Sequence, residues 1–161
     1  MIPALSSAEA STFFRVGGAV TAECQRLKIL VVDDEADTRI FLCNVLGTCG
    51  YEAIDAADGE EGLCKAKAQQ PDLIILDIMM PGEKGIQMYR SLKLDQGLKR
   101  VPVIVVSSID RRAFAVYRKS HNLWEDPAGP PRGAFLEKPL EADELIQTVG
   151  ELTHLGAVPA G

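Results

Sequence analysis

Three uninterrupted apolar runs stand out along the chain. They are KILVVD (28–33), DLIILD (72–77) and VPVIVVSS (101–108), and each ends in acidic or hydroxyl residues. Apolar runs without alternation are typical of parallel strands buried on both faces of a sheet. Two shorter strands are predicted over residues 51–56 and 134–137.

Helical spacing of apolar residues separates these strands. Ile40, Leu42, Val45 and Leu46 predict a helix from residue 35 to about 49, ending at Gly50. Further helices are predicted over 58–69, 84–95, 110–120 and 141–153. Strands alternating with helices predict an α/β fold with a doubly wound, five-stranded parallel sheet, which binds ligands beyond the carboxyl ends of its strands.

The remaining segments lack a regular period. Residues 1–26 are rich in Ser, Ala and Gly and predict a flexible extension, whereas 27–153 form one domain. Residues 121–132 form an enlarged loop with three prolines and one glycine, and residues 154–161 form a tail. Since no second folded unit follows, we expect a domain without an attached output domain.

Composition and charge argue against several classes of function. A net charge of −6 and a pI near 4.9 argue against direct nucleic-acid binding. No apolar stretch reaches the length of a membrane span, and the four cysteines form no CxxC pair that would suggest zinc. We therefore expect a cytoplasmic protein with reduced cysteines.

The strand ends collect chemically active residues, namely Asp33, Asp34, Asp77, Ser107 and Lys138. Three carboxylates in one cavity repel one another and call for a cation; an all-oxygen site suits Mg²⁺. A carboxylate nucleophile, a metal and a lysine are the parts of phosphoryl transfer. Glu35 and Glu83 read as first-turn helix acids and are left out of the predicted site.

The motifs KILVVDDE, DLIILDIMMPGEKG, VPVIVVSS and FLEKP resemble those of response-regulator receiver domains, the chemotaxis-regulator-like family. The resemblance implies a flavodoxin-like sheet of strand order 2-1-3-4-5. It implies that Asp77 is phosphorylated, that Asp34 binds Mg²⁺ directly and Asp33 through water, and that the Met79 backbone carbonyl completes the metal site. Such a domain is a phosphoacceptor rather than an enzyme acting on outside substrates.

The same resemblance assigns further roles. Ser107 matches the switch hydroxyl, Lys138 the phosphoryl-binding lysine, and Pro139 the proline that follows a cis peptide bond. Phe135 takes the position of the switch aromatic, with an ordinary core phenylalanine as the alternative. The implied partners are a sensor histidine kinase or phosphotransfer protein and an unidentified downstream protein, and both monomer and homodimer stay open.

The enlarged loop departs from the family pattern. It contains Trp124, the only tryptophan, which either anchors a partner from an exposed loop or pins the loop onto the domain. We expect the loop to set partner specificity.

Three other classes of protein fit the sequence less well. A haloacid-dehalogenase-type phosphatase needs a second Asp two residues after the nucleophile, where this chain has Met79. A flavodoxin-like electron carrier needs a phosphate-binding loop after the first strand, and acids there would repel the flavin phosphate. A receiver-like module that only binds proteins would not need the full set of phosphorylation residues.

Overall fold

The computed structural model describes residues 26–157 and two short strands ahead of them. These strands, β1 (Phe13–Val16) and β2 (Ala19–Ala22), pair antiparallel and were not predicted from the sequence. Side chains are described for residues 26–154. The predicted flexibility of the rest of the 1–26 extension, and Cys24 with it, lies outside the described residues, as does the end of the tail at 158–161.

The domain is built on a five-stranded parallel sheet. Its strands are β3 (Lys28–Val32), β4 (Glu52–Ala56), β5 (Leu73–Asp77), β6 (Val103–Ser107) and β7 (Ala134–Glu137). They lie in the order β4-β3-β5-β6-β7, and every neighbouring pair is parallel. Counted from β3, this is the predicted order 2-1-3-4-5, so the predicted fold class is confirmed.

A 3₁₀ helix (Pro81–Glu83) follows β5, and five α-helices connect and follow the strands within residues 26–157. They are α1 (Ala36–Thr48), α2 (Gly59–Gln69), α3 (Lys84–Leu94), α4 (Arg111–Ser120) and α5 (Ala142–Ala157). Aspartates start two of them: Asp58 accepts a hydrogen bond from the Glu61 amide and Asp110 one from the Ala113 amide, which satisfies amides that lack helical partners. Helix α5 continues to Ala157 rather than ending near Thr153, the predicted end of the domain.

The core consists of two layers, one on each face of the sheet. Along β3, Leu30 and Val32 belong to one apolar cluster, whereas Ile29 and Val31 belong to the other. The central strands β5 and β6 are buried at every position. Burial on both faces is the physical reason why these strands are continuous apolar runs in the sequence.

The sheet register aligns the carboxyl ends of the strands. Val32 pairs with Leu76, so Asp33 and Asp77 follow at the same level, and Ser107 pairs with Glu137 just before Lys138. Within residues 26–157, no helix has both the length and the apolar character needed to cross a membrane. The cytoplasmic location stays a prediction.

Candidate functional site

Four carboxylates meet at the carboxyl edge of the sheet. Oxygens of Asp33, Asp34, Glu35 and Asp77 all lie within 4.8 Å of one another; we call these residues the acid cluster. Asp33 and Asp77 are buried, with 2% and 5% of their surface exposed, whereas Asp34 and Glu35 are exposed. The side of the cluster formed by Asp33 and Asp77 is therefore buried, and the side formed by Asp34 and Glu35 is open to solvent.

Lys138 lies over the cluster from the end of β7. Its Nζ is 2.9 Å from Asp33 Oδ2, 2.9 Å from Glu35 Oε1 and 3.3 Å from Asp77 Oδ2. The Lys138–Pro139 peptide bond is cis, the geometry that the sequence resemblance implies. One ammonium group thus contacts three carboxylates, two of which are buried.

Backbone amides fix the two buried carboxylates. The Met79 amide donates to Asp77 Oδ1 at 2.9 Å, and the Glu35 amide donates to Asp33 Oδ1 at 2.8 Å. In addition, the Arg39 guanidinium donates to the Asp33 carbonyl at 2.7 Å. Because one oxygen of each carboxylate is held by a short loop, the other oxygen faces Lys138 in a defined orientation.

The electrostatics of the site follow from burial and crowding. Burial raises the pKa of Asp77, the charge of Asp33 raises it further, and Lys138 and the Met79 amide offset part of that increase. Burial by itself lowers the pKa of Lys138, but hydrogen bonds to Asp33 and Glu35 and the charge of Asp77 outweigh it and raise the pKa. The cluster holds more negative charge than a single lysine neutralises.

This arrangement fits a hard divalent cation. The clustered donor atoms are all carboxylate oxygens, and Asp34 forms no hydrogen bond or ion pair with its side chain among the described residues. Oxygen-only sites with an open side suit Mg²⁺, which retains several of its waters. Asp33, Asp34 and Asp77, the predicted metal residues, are brought together.

The two predicted switch residues lie beside this cluster without joining it. Ser107 is fully buried, and its Oγ accepts a hydrogen bond from the Ile109 amide at 3.1 Å. Phe135 is 3% exposed and stacks on Phe114 of α4, with 4.5 Å between the ring centroids. Its ring thus lies inside the domain, and its role as a switch stays a prediction.

Trp124 is not the exposed anchor that one reading of the loop proposed. It is 7% exposed, with its ring centroid 5.1 Å from that of Tyr89 and 5.8 Å from that of Phe114. The buried Arg118 guanidinium donates to the carbonyls of Trp124 and Glu125. The alternative, a tryptophan that pins the loop onto the domain, describes the observed packing, because a large apolar ring gains more from burial than from exposure.

Sequence reasoning missed the position of Glu35. It precedes α1 as the N-cap, makes no side-chain cap hydrogen bond, and instead turns its carboxylate to Lys138. The signal available was the third acid of the DDE motif directly after a strand end. Glu83, also left out, contacts His121 Nε2 at 3.3 Å and lies outside the acid cluster.

Comparison with known proteins adds an independent line of evidence. Residues 29–150 match the model of the response regulator receiver domain family. The chain is 30% identical to protein PilH of Pseudomonas aeruginosa, covering 76% of this chain and 93% of PilH. It is 34% identical to response regulator PleD of Caulobacter vibrioides over 81% of this chain, which spans 27% of PleD.

A solved structure supports the same relationship. The chemotaxis response regulator CheY4 of Vibrio cholerae superposes with a TM-score of 0.66 at 28% sequence identity, covering 79% of this chain and 98% of CheY4.

Proposed function

The chain belongs to the response regulator receiver domain family, and from this premise we propose that it accepts a phosphoryl group on Asp77 from a histidine kinase or a phosphotransfer protein. The observation that supports the proposal most directly is the contact of Asp77 with Lys138 inside a cluster of carboxylates. Accepting phosphate at an acidic site is general to the family. For this chain, we propose that Asp77 is the residue that accepts it.

In this proposal Asp77 acts as the nucleophile. One of its oxygens, Oδ1, is held by the Met79 amide, and Oδ2 lies 3.3 Å from Lys138 Nζ. Attack by a carboxylate oxygen on phosphorus releases the donor imidazole and leaves an acyl phosphate on Asp77. Holding the attacking oxygen in one orientation lowers the entropic cost of an in-line approach.

Charge on the transferred group has to be compensated, because three phosphoryl oxygens move into an acidic cavity. Lys138 supplies one positive charge and can exchange a carboxylate partner for a phosphoryl oxygen. Asp33, Asp34, Asp77 and the Met79 carbonyl are the groups that we propose hold Mg²⁺, which supplies further positive charge when bound. The buried Ser107 hydroxyl lies at the adjacent strand end and would hydrogen-bond the new group.

The surface beside the cluster offers a place for a protein donor. A hollow of about 530 Å³ is lined by residues of α1 and of the segment after β7, among them Thr38, Phe41 and Pro139. Ile40 and Phe41 are 59% and 40% exposed, although both are large and apolar. Exposed apolar residues next to a reactive group are typical of protein contact surfaces, which supports a protein rather than a small molecule as the physiological donor.

The experiment is intact mass spectrometry after incubation with acetyl phosphate, with and without Mg²⁺. We expect a single phosphoryl adduct that requires Mg²⁺ and disappears in Asp77→Asn. Asp143→Asn, which removes an exposed acid from α5, is the matched control and should be modified like the wild type. An unmodified wild type under all conditions, or an adduct that survives in Asp77→Asn, would overturn the proposal.

A further inference from the structure

A second cavity lies between α3 and the enlarged loop. Its volume is about 1000 Å³, and none of the residues that line it belongs to the acid cluster. Its apolar wall is formed by Tyr89, Leu94, Leu123, Trp124, Pro130 and Pro131. Sites that bind small molecules are concave, mostly apolar and of this order of volume.

The loop that closes this cavity is fixed to the domain at several points. Trp124 packs between Tyr89 and Phe114, and the Arg118 guanidinium binds two successive loop carbonyls. The Ala128 carbonyl accepts a hydrogen bond from the Phe135 amide at 2.9 Å, at the start of β7. The cavity wall is therefore formed in advance of any binding, which reduces the entropic cost of binding a ligand.

Glycine allows the end of the loop to lie against the sheet. A side chain at Gly133 would collide with the Val103 carbonyl oxygen, and one at Gly129, whose φ is +141°, would collide with the Ala134 backbone. Both glycines line the cavity. The end of the loop thus packs tightly against the sheet, and the space beside it is bounded by α3 and by Leu152 of α5.

Basic groups without acidic partners line the same cavity. Among the side chains of residues 26–154, neither Lys93 nor Arg132 forms an ion pair. Lys93 is partly buried, and burial and the charge of Arg132 lower its pKa. Lys93 Nζ donates to the Lys99 carbonyl at 3.5 Å and lies 5.5 Å from the Tyr89 ring centroid, contacts that leave its charge without an acidic partner. Two neighbouring cations without acidic partners favour the binding of an anion between them.

The other charged residues that line the cavity are Arg90, Glu125 and Asp126. Arg90 donates to the His121 carbonyl at 2.6 Å, and Asp126 accepts a hydrogen bond from the Ala128 amide at 2.9 Å. Glu125 is exposed, and only its backbone carbonyl is bound, by Arg118. Glu125, Asp126 and Arg132 lie on the loop, whereas Arg90 and Lys93 lie on α3, so the cavity is lined by three basic residues and two acids.

We propose that this cavity binds a small amphipathic anion, with its apolar body against Tyr89 and Trp124 and its acidic group between Lys93 and Arg132. The occupant would be a soluble molecule with an aromatic or aliphatic body that carries a carboxylate, sulfonate or phosphate group. The proposal goes beyond the phosphoacceptor function and does not depend on it.

The test uses 8-anilinonaphthalene-1-sulfonate, an aromatic anion, as the probe. Trp124 is the only tryptophan of the chain and lines the cavity, so energy transfer from Trp124 reports binding to the domain, and a loss of binding in variants of Lys93 and Arg132 assigns the probe to this cavity. We expect one saturable site per chain. Lys93→Gln and Arg132→Gln should each weaken binding by about tenfold, the loss expected for one charge-assisted contact. Lys67→Gln, an exposed lysine on α2, should leave binding unchanged.

A neutral relative of the probe separates charge from apolar contact. N-phenyl-1-naphthylamine lacks the sulfonate, so it should bind the wild type more weakly and should not respond to Lys93→Gln or Arg132→Gln. Equal loss of both probes in these variants, unchanged binding of the anionic probe, or several weak sites per chain would overturn the proposal. Sedimentation with phosphatidylglycerol vesicles that depends on Lys93 and Arg132 would likewise overturn it, in favour of a lipid surface.

Discussion

At the scale of the residue, Glu35 is the least expected member of the site. Its carboxylate is 2.9 Å from Lys138 Nζ although 62% of its side chain is exposed. An exposed ion pair is weak because solvent screens it, so Lys138 can leave Glu35 more easily than it can leave the buried Asp33. We infer that Glu35 competes modestly with an incoming phosphoryl group for the lysine.

The competition of Glu35 with a phosphoryl group for Lys138 can be measured as a rate of phosphorylation. Glu35→Gln removes the competing charge and should increase the rate of phosphorylation by acetyl phosphate about twofold at saturating Mg²⁺, in keeping with the small energies of exposed pairs. Glu60→Gln, an exposed acid at the start of α2, should not change the rate. A rate that falls as it does in Lys138→Ala would instead make Glu35 a necessary partner of the lysine.

Asp77, the proposed phosphoacceptor, is expected to lower the stability of the domain. Its pKa is raised by burial and by Asp33, so the native state binds its proton more tightly than the unfolded chain does. Stability contributed by the protonated form is thus present at low pH and is lost as the pH rises through the range between the unfolded and native pKa values. At neutral pH the ionised carboxylate destabilises the metal-free protein.

Asp77→Asn should therefore stabilise the protein when Mg²⁺ is removed by a chelator. We expect a gain on the order of 1 kcal/mol at pH 7, a few degrees in Tm, and a smaller gain at pH 4. Thermal unfolding followed by circular dichroism at both pH values measures it, with Glu52→Gln, an exposed acid on β4, as the control. A lower Tm in Asp77→Asn at pH 7 would show that the contact with Lys138 outweighs the burial of the charge.

At the scale of the element, helix α3 depends on one glycine for its approach to the site. A Cβ at Gly85 would lie 2.5 Å from the Ile78 carbonyl oxygen and 2.6 Å from that of Asp77. Both atoms are backbone and cannot move away like the end of a flexible side chain. The first turn of α3 can therefore rest directly on the loop that holds Asp77 only because residue 85 has no side chain.

Gly85→Ala should consequently destabilise the domain by about 1–3 kcal/mol, the usual cost of overpacking. The matched control is Gly47→Ala in α1, because a Cβ at Gly47 meets nothing within 4 Å. That change should stabilise the helix by roughly 0.5–1 kcal/mol through its higher helix propensity. Urea unfolding of both variants gives the comparison, and equal stabilities would show that α3 shifts without penalty.

The strands and helices of the domain could be predicted because each depends on residues that are close together in the sequence. Buried parallel strands require apolar runs, and the helices between them require apolar spacing and caps such as Asp58 and Asp110. What the sequence could not supply depends on contacts between distant residues. The orientation of Glu35 toward Lys138 and the burial of Trp124 against Tyr89 join segments far apart in the chain. The pairing of β1 with β2 was not predicted because the sequences of these two segments do not show an alternating apolar and polar pattern.

At the scale of the whole molecule, packed aromatic rings connect the sheet with the enlarged loop. Phe114 of α4 stacks on Phe135 of β7 at 4.5 Å and lies 5.8 Å from Trp124. The start of α4 is tied to the same strand, because the Arg111 amide donates to Glu137 Oε1 at 2.8 Å. A shift of α4 would therefore move a ring that contacts both Phe135 and the loop.

The origin of such a shift would be Ser107. Its hydroxyl now bonds the backbone of Ile109, the residue directly before Asp110, which is the N-cap of α4. A phosphoryl group on Asp77 offers Ser107 a stronger, charged acceptor, and moving the hydroxyl would release the Ile109 segment. The cavity between α3 and the loop lies at the other end of this series of contacts, so phosphorylation and the shape of that cavity are expected to be coupled.

The coupling can be followed through Trp124, which is the only tryptophan. During phosphorylation by acetyl phosphate and Mg²⁺, its emission should change with the same rate constant as the mass of the protein. The change should be absent in Asp77→Asn, and in Ser107→Ala the adduct should form with little change in emission, because the link from the phosphoryl group to α4 is missing. Full phosphorylation of the wild type with constant emission would mean that the loop does not sense Asp77, and that the cavity beneath it is regulated independently of the phosphoacceptor site.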